Sequence, residues 1–291
     1  MKKIAVVGKK NGWSSEKLAE TVLEMTGHGL LIEMDKVSLD LKTGKAWYRD
    51  TDLTTLDALM IKKIGGRYSP KHLDRLEILR YLHERGLPVF SSPNSIMRVL
   101  DRLSCTVSLR LADIPMPPTT ITEDIDEALD AVERYGEAVF KPLYTSKARG
   151  MKVIERGNEA RRNIINFKLD NPLMYIQQKI DLNGRDLGVV FLGGEYLTTY
   201  ARKKESNSWT TSTYYGGKYE TYEPKQSTID IAQKANDLFK LDFTSVDVVE
   251  TDNGPVVFEV SAFGGFRGIQ ESSGMDAARL YVEYVLKRLE P

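Results

Sequence analysis

One cysteine, Cys105, stands among 291 residues. It has no partner within the chain, so an intramolecular disulfide and a cysteine zinc cluster are both excluded, and a reducing compartment fits. Histidine is nearly as scarce. His28, His72 and His83 are scattered, and no Ser/His/Asp arrangement or Gly-x-Ser-x-Gly elbow accompanies them. Net charge is missing too: Lys and Arg number 41, as do Asp and Glu. No global field therefore draws the chain to nucleic acid or to an anionic membrane. No apolar run approaches the roughly 18 residues that span a bilayer. The opening MKKIAVVGKKNGW passes from a short apolar run straight into glycine and charge. It reads as a first buried strand rather than a signal peptide, and a cytoplasmic location is expected.

What is present is an ordinary globular composition, 41% hydrophobic and 28% charged, in a chain long enough for two or three modules. Ile4 to Val7 reads as a parallel strand feeding a loop at Gly8. A helix follows on Leu18, Val22 and Met25, with Gly27 at its C-terminal stop. Further strands fall at Leu30 to Met34, Ala58 to Ile61 and Val89-Phe90, and an amphipathic helix covers 71–85. This alternation predicts a small parallel sheet. Asn94 to Leu111 reads as mostly helical, with Asn94 as N-cap. Ile114 to Pro118 is a stiff proline linker. Asp124 caps the next helix, with Glu127 completing a capping box and Gly136 ending it. Strands Ala138 to Lys141 and Met151 to Ile154 and a helix over 159–169 complete a middle unit. From Tyr175 hairpins dominate, with Gly193-Gly194 as one turn. Helix 228–239 and a last helix over 276–289 flank the strands Phe243 to Glu250 and Val256 to Val260. The reading is an α/β (α+β) chain of three domains, 1–94, 95–172 and 173–291.

The most informative segment pairs Ser245 to Val249 with Val257 to Ser261. With the turn centred on Asn253, Asp247 faces Glu259 and Ser245 faces Ser261. Opposed residues share a face with Cβ atoms about 4.5–5.5 Å apart. The other face, Val246, Val248, Phe258 and Val260, reads as core. Like charges so opposed repel unless a cation sits between them. A divalent ion with hard oxygen ligands, Mg²⁺ or Mn²⁺, is the economical answer; pairing of each acid with Lys or Arg is the alternative. A second segment places Lys141 at a strand end before a polar loop to Gly150. A lysine and loop N–H groups suit a polyphosphate, although a solvated basic loop would look the same. Cys105 reads as a core residue, and Gly264 to Gly268 as a loop.

Together these segments resemble the ATP-grasp superfamily, closest to RimK-like carboxylate–amine ligases, in order over essentially the whole chain. Asp57 to Gly65 resembles the family strand ending Arg-Ile-Gly, and Asn94 to Arg102 its Ala-Ile … Asp-Lys segment. Phe140-Lys141-Pro142 resembles the phosphate-binding Lys-Pro and its loop, which contains Ser146 and Gly150. Ile176 to Ile180 resembles the adenine hinge. The resemblance implies an ATP-grasp fold: a Rossmann-like first domain, a small central α+β domain, and a C-terminal antiparallel sheet. It implies ATP and Mg²⁺ (or Mn²⁺) as cofactors. Arg102 and Lys141 would hold phosphates, and Gln178, Lys179 and Ile180 the adenine. Asp186 and Ser212 fall at the family's spacing in the nucleotide site. Asp247, Glu259 and Ser261 would hold the metal. Arg202 would stabilise the anionic intermediate, and Arg267 would clamp a substrate carboxylate. Departures from the family pattern are Arg102 for Lys, Gln178 for Glu, Gly188 for Arg, Thr210-Thr211-Ser212 for Arg-Ser-Asn, and Ser261 for Asn.

The implied activity is ATP-dependent ligation of a carboxylate to an amine through an acyl phosphate, with an amino acid such as glutamate as one added group. The substrates are small molecules or peptides, with no nucleic acid or membrane partner, and a homo-oligomer is expected. Positioning and charge neutralisation suffice for such chemistry, so a missing His or Cys nucleophile is consistent with it. A degenerate ATP-grasp protein that binds nucleotide without ligation is the main alternative, motivated by positions 188 and 261. A phosphotransferase that stops at the phosphorylated acid is another. A Rossmann dehydrogenase lacks its Gly-x-Gly-x-x-Gly after Val7.

Overall fold

The computed structural model describes every residue except 67, 68, 147, 206, 207 and 291. The first unit contains β1 (Ile4–Val7), α1 (Trp13–Thr26), β2 (Gly29–Ile32), a small ribbon of β3 (Val37–Asp40), β4 (Lys45–Tyr48) and β5 (Thr51–Asp52), then β6 (Ala58–Ile61), α2 (Lys71–Glu84) and β7 (Val89–Phe90). Strands β1, β2, β6 and β7 form the expected parallel sheet in the order β2-β1-β6-β7. Its central strands are apolar throughout because both faces are covered. The antiparallel ribbon 37–52 was not foreseen; Tyr48, Ala46 and Leu53 pack its inner side into the core.

Helices α3 (Pro93–Leu100) and α4 (Arg102–Leu111) follow. They replace the single helix expected there. Ser92, not Asn94, is the N-cap, with Pro93 in the first turn. Asp101 breaks the helix because it caps the second one: its carboxylate accepts from Ser104 N at 2.8 Å. The central unit is β8 (Thr119–Thr122), α5 (Ile125–Tyr135), β9 (Glu137–Lys141), β10 (Lys152–Glu155), α6 (Ala160–Asp170) and β11 (Met174–Gln178). Its antiparallel sheet runs β10-β9-β11-β8, so the sheet continues past the boundary drawn at 172. Asp124 caps α5 as read, accepting from Asp126 N and Glu127 N, and Gly136 ends it with φ +74.

The C-terminal unit has β12 (Arg185–Leu192), β13 (Glu195–Lys203), β14 (Lys218–Thr221), α7 (Gln226–Asp237), β15 (Phe243–Thr251), β16 (Gly254–Val260), α8 (Phe266–Ser273) and α9 (Ala277–Arg288). Its sheet order is β14-β13-β12-β15-β16. Helix α8 falls where the sequence reads as a glycine loop. Its glycines are needed for close approach instead: a Cβ on Gly268 would lie 2.9 Å from both the Tyr200 and Tyr219 rings. Among the described residues no helix is long and apolar enough to cross a membrane.

Candidate active site

The three units wall one cavity of about 880 Å³. Its chemistry begins with the pairing of β15 and β16. Asp247 is opposite Glu259, as read, and Ser261 N donates to Ser245 O at 2.8 Å. The route to that register differs from the reading. Near the turn Thr251 pairs with Gly254 and Val248 with Val257, and a bulge between Asp247 and Val248 shifts the pairing by one residue. The bulge turns Phe258 out of the core face and into the cavity wall, where its ring lies 4.8 Å from Lys141 Nζ.

Both carboxylates have arginine partners, the arrangement the sequence left as the alternative to a cation. Arg102, at the start of α4 with its side chain 6% exposed, donates from Nη1 to Glu259 Oε2 at 2.6 Å. Arg202 on β13 sits opposite Asp186 on β12 and binds that carboxylate through both Nε, at 3.1 Å, and Nη2. The same Nη2 lies 3.0 Å from Asp247 Oδ2. Asp186 thus anchors Arg202, a role the sequence did not suggest, and Arg202 bridges two acids. Burial acts to raise the Glu259 carboxyl, but Arg102 and then Lys141 outweigh it and hold it below the ordinary range. Burial wins at Asp247, whose carboxyl is raised in spite of Arg202.

Asp247 Oδ1 is buried and has no hydrogen-bond partner among the described residues. An orphaned carboxylate oxygen beside a second carboxylate is a donor set that fits a hard divalent cation. No cluster of three or more His, Cys, Asp or Glu among the described residues could enclose one. Such an ion would complete its shell with phosphate oxygens and water, as Mg²⁺ commonly does. Ser261 lines the same wall.

Lys141, at the end of β9, is buried, and burial followed by the charge of Arg102 lowers its ammonium to about 7. Its Nζ donates to Gln177 Oε1. Gln177 was missed by sequence reading. It is 1% exposed, and its amide nitrogen is held by Thr119 Oγ1 at 3.0 Å. The signal available was its place directly after the apolar run Met174 to Ile176, on a strand that pairs with the Lys141 strand. Gln178, Lys179 and Ile180 line the cavity as read. The Gln178 N–H donates to Pro118 O at 2.8 Å and the Lys179 N–H to Glu137 O at 3.0 Å. The Ile180 N–H therefore remains without an acceptor among the described residues.

In the loop after β9, Ser146 lines the cavity and accepts from Arg149 Nη2 at 3.1 Å. Gly150 does not line it; with φ +71 it makes a turn that packs against Pro142. Lys147 lies outside the described residues. Ser212 lines the cavity and caps the short turn Thr213–Tyr215. Arg267 lies at the mouth, its guanidinium 5.2 Å from the Trp13 ring. Cys105 also lines the cavity, but burial pushes its thiol up to about 12, which leaves it inert.

Two positions explain themselves only in three dimensions. A Cβ on Gly188 would lie 2.3 Å from Tyr200 Cζ, so the Tyr200 ring occupies the space of any side chain there. Lys62, at the end of β6, is fully buried: its Nζ donates to Gly264 O and sits 3.5 Å from the Phe266 ring centre. Burial drives its ammonium far down. It ties the first unit to the start of α8.

Comparison with known proteins agrees with this geometry. The model of the RimK-like ATP-grasp domain matches residues 99–285. Tetrahydromethanopterin:alpha-L-glutamate ligase of Methanosarcina acetivorans is 24% identical over 98% of this chain and 99% of its own. The ribosomal protein bS6–L-glutamate ligase of Escherichia fergusonii is 25% identical over 99% and 97%. Among solved structures, the RimK domain ATP-grasp protein of Sphaerobacter thermophilus superposes with a TM-score of 0.73 at 22% identity, covering 98% of this chain and 99% of that one. The ATP-grasp ligase PsnB, complexed with a phosphomimetic precursor variant, Mg and ADP, gives 0.75 at 16% identity over 99% of both chains. The family match spans well over half of the chain and the ligase relatives align with nearly all of it, so the chain belongs to the RimK-like ATP-grasp family of carboxylate–amine ligases.

Proposed function

We propose that the protein couples ATP hydrolysis to amide formation between a substrate carboxylate and the amine of an amino acid of the L-glutamate class. The observation that carries this reading is the set of Asp247, Glu259, Lys141 and Arg102 on one cavity wall, where the one thiol among the described lining residues, Cys105, is held protonated by burial. The named relatives that act as alpha-L-glutamate ligases support the choice of amino acid.

In this reading the adenine lies against the Gln178–Ile180 edge, with the Ile180 N–H as donor. Lys141, aimed by Gln177, and Arg102 hold the phosphates. Asp247 and Glu259, with Ser261 beside them, hold Mg²⁺ or Mn²⁺, which when bound supplies neutralising charge at the triphosphate. The acceptor carboxylate attacks the γ-phosphorus. ADP leaves, and an acyl phosphate remains. The amine attacks the acyl carbon, phosphate departs, and the amine sheds a proton. Arg202 lies beside Asp247 to offset the negative charge of that intermediate, and Asp186 keeps its guanidinium plane fixed.

Incubation with ATP, Mg²⁺, hydroxylamine and a panel of carboxylic acids traps the acyl phosphate as a hydroxamate. Hydroxamate together with equimolar ADP is the expected result. Nucleotide binding with no ADP release for any acid–amine pair would overturn ligation and favour a protein that only binds nucleotide.

A further inference from the structure

Three strands of the central sheet place polar side chains on one face. Lys141 on β9 is directly opposite Tyr175 on β11, and Gln177 on β11 is directly opposite Thr119 on β8. Opposed residues share a face, as do residues two apart on a strand, so all four point the same way. The other face carries Ala138, Phe140, Met174 and Ile176, which pack with α5 and α6. A polar sheet face ordinarily meets water. Here Tyr175 and Gln177 are each 1% exposed, because α4 lies across them. Thr106 Oγ1 of α4 is 2.9 Å from the Tyr175 hydroxyl, and the Arg102 guanidinium is 5.8 Å from the centre of the Tyr175 ring.

The polar layer is one chain of hydrogen bonds, and its directions are set from one end. Thr119 Oγ1 donates to Pro117 O at 2.9 Å, so it offers Gln177 only lone pairs. Gln177 Nε2 donates to it at 3.0 Å, and donates its second hydrogen to the Tyr175 hydroxyl at 3.3 Å. The amide oxygen is left for Lys141 Nζ, which can only donate. Tyr175, having accepted from Gln177, turns its own hydrogen to Thr106 Oγ1. Helix α4 is in turn seated on the C-terminal unit, where Val260 N donates to Cys105 Sγ at 3.4 Å and Arg102 binds Glu259. The chain thus runs from α4 through Tyr175 and Gln177 to the lysine of the central sheet. Thr106 and Tyr175 are not among the described residues that line the cavity, so they reach a bound nucleotide only through other side chains.

We propose that Tyr175 and Thr106 are positioning residues for the nucleotide phosphates: their hydroxyl pair fastens Gln177 to α4, so that Lys141 on the central sheet meets phosphate at a set distance from Arg102. This role rests on the ligase reading, in which those two cations hold the phosphates. Without the Tyr175 hydroxyl, one Gln177 N–H is buried with no acceptor. Burying an unmet donor is costly, so the amide turns and its oxygen leaves Lys141.

The test is a double-mutant cycle on the whole protein, read as the affinity for a non-hydrolysable ATP analogue with Mg²⁺ by calorimetry. Tyr175→Phe keeps the ring beneath Arg102 and removes only the hydroxyl. Thr106→Val keeps the side chain's shape and removes its acceptor. Each should weaken the analogue about fivefold or more. Thr106→Ser restores the acceptor and should return affinity to within about threefold of the wild type. In a Gln177→Leu background, Tyr175→Phe and Thr106→Val should each change affinity less than about twofold, because the chain to Lys141 is already cut. A merely structural loss would carry over into that background undiminished, and that result would overturn the proposal. So would a Tyr175→Phe protein that binds the analogue like the wild type while Gln177→Leu weakens it. A Gln177→Leu protein that binds the analogue like the wild type would instead overturn the placing of phosphate at Lys141, and with it this role.

Discussion

Asp247 and Glu259 face each other, yet neutralising them should move the stability of the nucleotide-free protein in opposite directions. Glu259 accepts from a guanidinium that is only 6% exposed, at 2.6 Å. A hydrogen bond to a charged group contributes about 1.5–3 kcal/mol. Glu259 is itself 34% exposed, so water screens the pair, and an amide oxygen still accepts from Arg102; about 1–2 kcal/mol is the reasonable loss. At the response usual for domains of this size, Glu259→Gln lowers Tm by about 2–8 °C. Asp247 is the reverse case. Its Oδ1 is buried and unpartnered, and burial outweighs the pull of Arg202 on its ionisation. Arg202 keeps its two-point bond to Asp186 when Asp247 is neutralised, so no orphaned cation results. Asp247→Asn should therefore leave Tm unchanged or raise it. The sign extends to pH. A carboxyl whose pKa is raised on folding contributes stability below its unfolded pKa and loses it as pH rises through the folded one, and Asp247→Asn removes that loss. Thermal unfolding without nucleotide or Mg²⁺, at low salt and above neutral pH, reads both variants. Each should also lose nearly all ligase turnover and the Tm rise that ADP with Mg²⁺ gives the wild type. Glu259→Gln stabilising the empty protein, as simple repulsion between the two acids would have it, would refute this reasoning.

Gln177→Leu removes the acceptor that aims Lys141 and should weaken ATP about tenfold or more in a competition assay, at about 1.4 kcal/mol per tenfold, with little effect on L-glutamate affinity. GTP, whose ring edge reverses donors and acceptors, should bind the Ile180 hinge about 1–3 kcal/mol more weakly than ATP; equal affinities would show that the base lies elsewhere. Gly188→Ala forces a Cβ into the Tyr200 ring and should cost about 1–3 kcal/mol in denaturant unfolding, with Gly188→Arg worse rather than restorative. Trypsin cleavage after Arg149 should slow when ATP and Mg²⁺ are added, because the loop through Ser146 lines the cavity; equal rates with binding confirmed separately would remove that loop from the site.

The parts of the site that sequence made legible are those set by local pattern. The N-cap at Asp124 (although its own N–H donates to Thr122 Oγ1 and not to Glu127, so the capping box is half made), the lysine ending β9 and the opposition of Asp247 and Glu259 each depend on residues a few positions apart or on a single turn. Even there the opposition was reached by a wrong path. A turn one residue longer and a bulge at Phe258 give the same pairing at the carboxylates, but they differ on which face Phe258 lies. A bulge leaves no distinct signature in a run such as Val256 to Val260, where every residue suits a strand. The features that stayed hidden all join distant segments. Arg102 is separated from Glu259 by two units of the fold, Gln177 acts through Lys141 on another strand, and Lys62 acts through a carbonyl in the last third of the chain. Helix α8 was hidden for a related reason, since its glycines look like loop residues until Tyr200 and Tyr219 are placed against them.

The arginine pairs also bear on the departures from the family pattern. Glycine at 188 reads as a loss of charge from the site when the sequence stands alone. In the structure the vacated volume belongs to Tyr200, which closes over the Gly188 backbone and packs against Gly268 in α8. Arg202, one strand away, carries the charge and is locked by Asp186. The cations Arg102, Lys141 and Arg202 then stand against the anions Asp186, Asp247 and Glu259, so the nucleotide-free wall is close to neutral. A neutral wall is easier to bury than a wall of one sign. It also means that bound phosphate and a divalent cation compete with pairs already made, so affinity for each should rise when both are present. Glycine at 188 thus makes room for the Tyr200 ring, which ties β12 to α8 through its contact with Gly268.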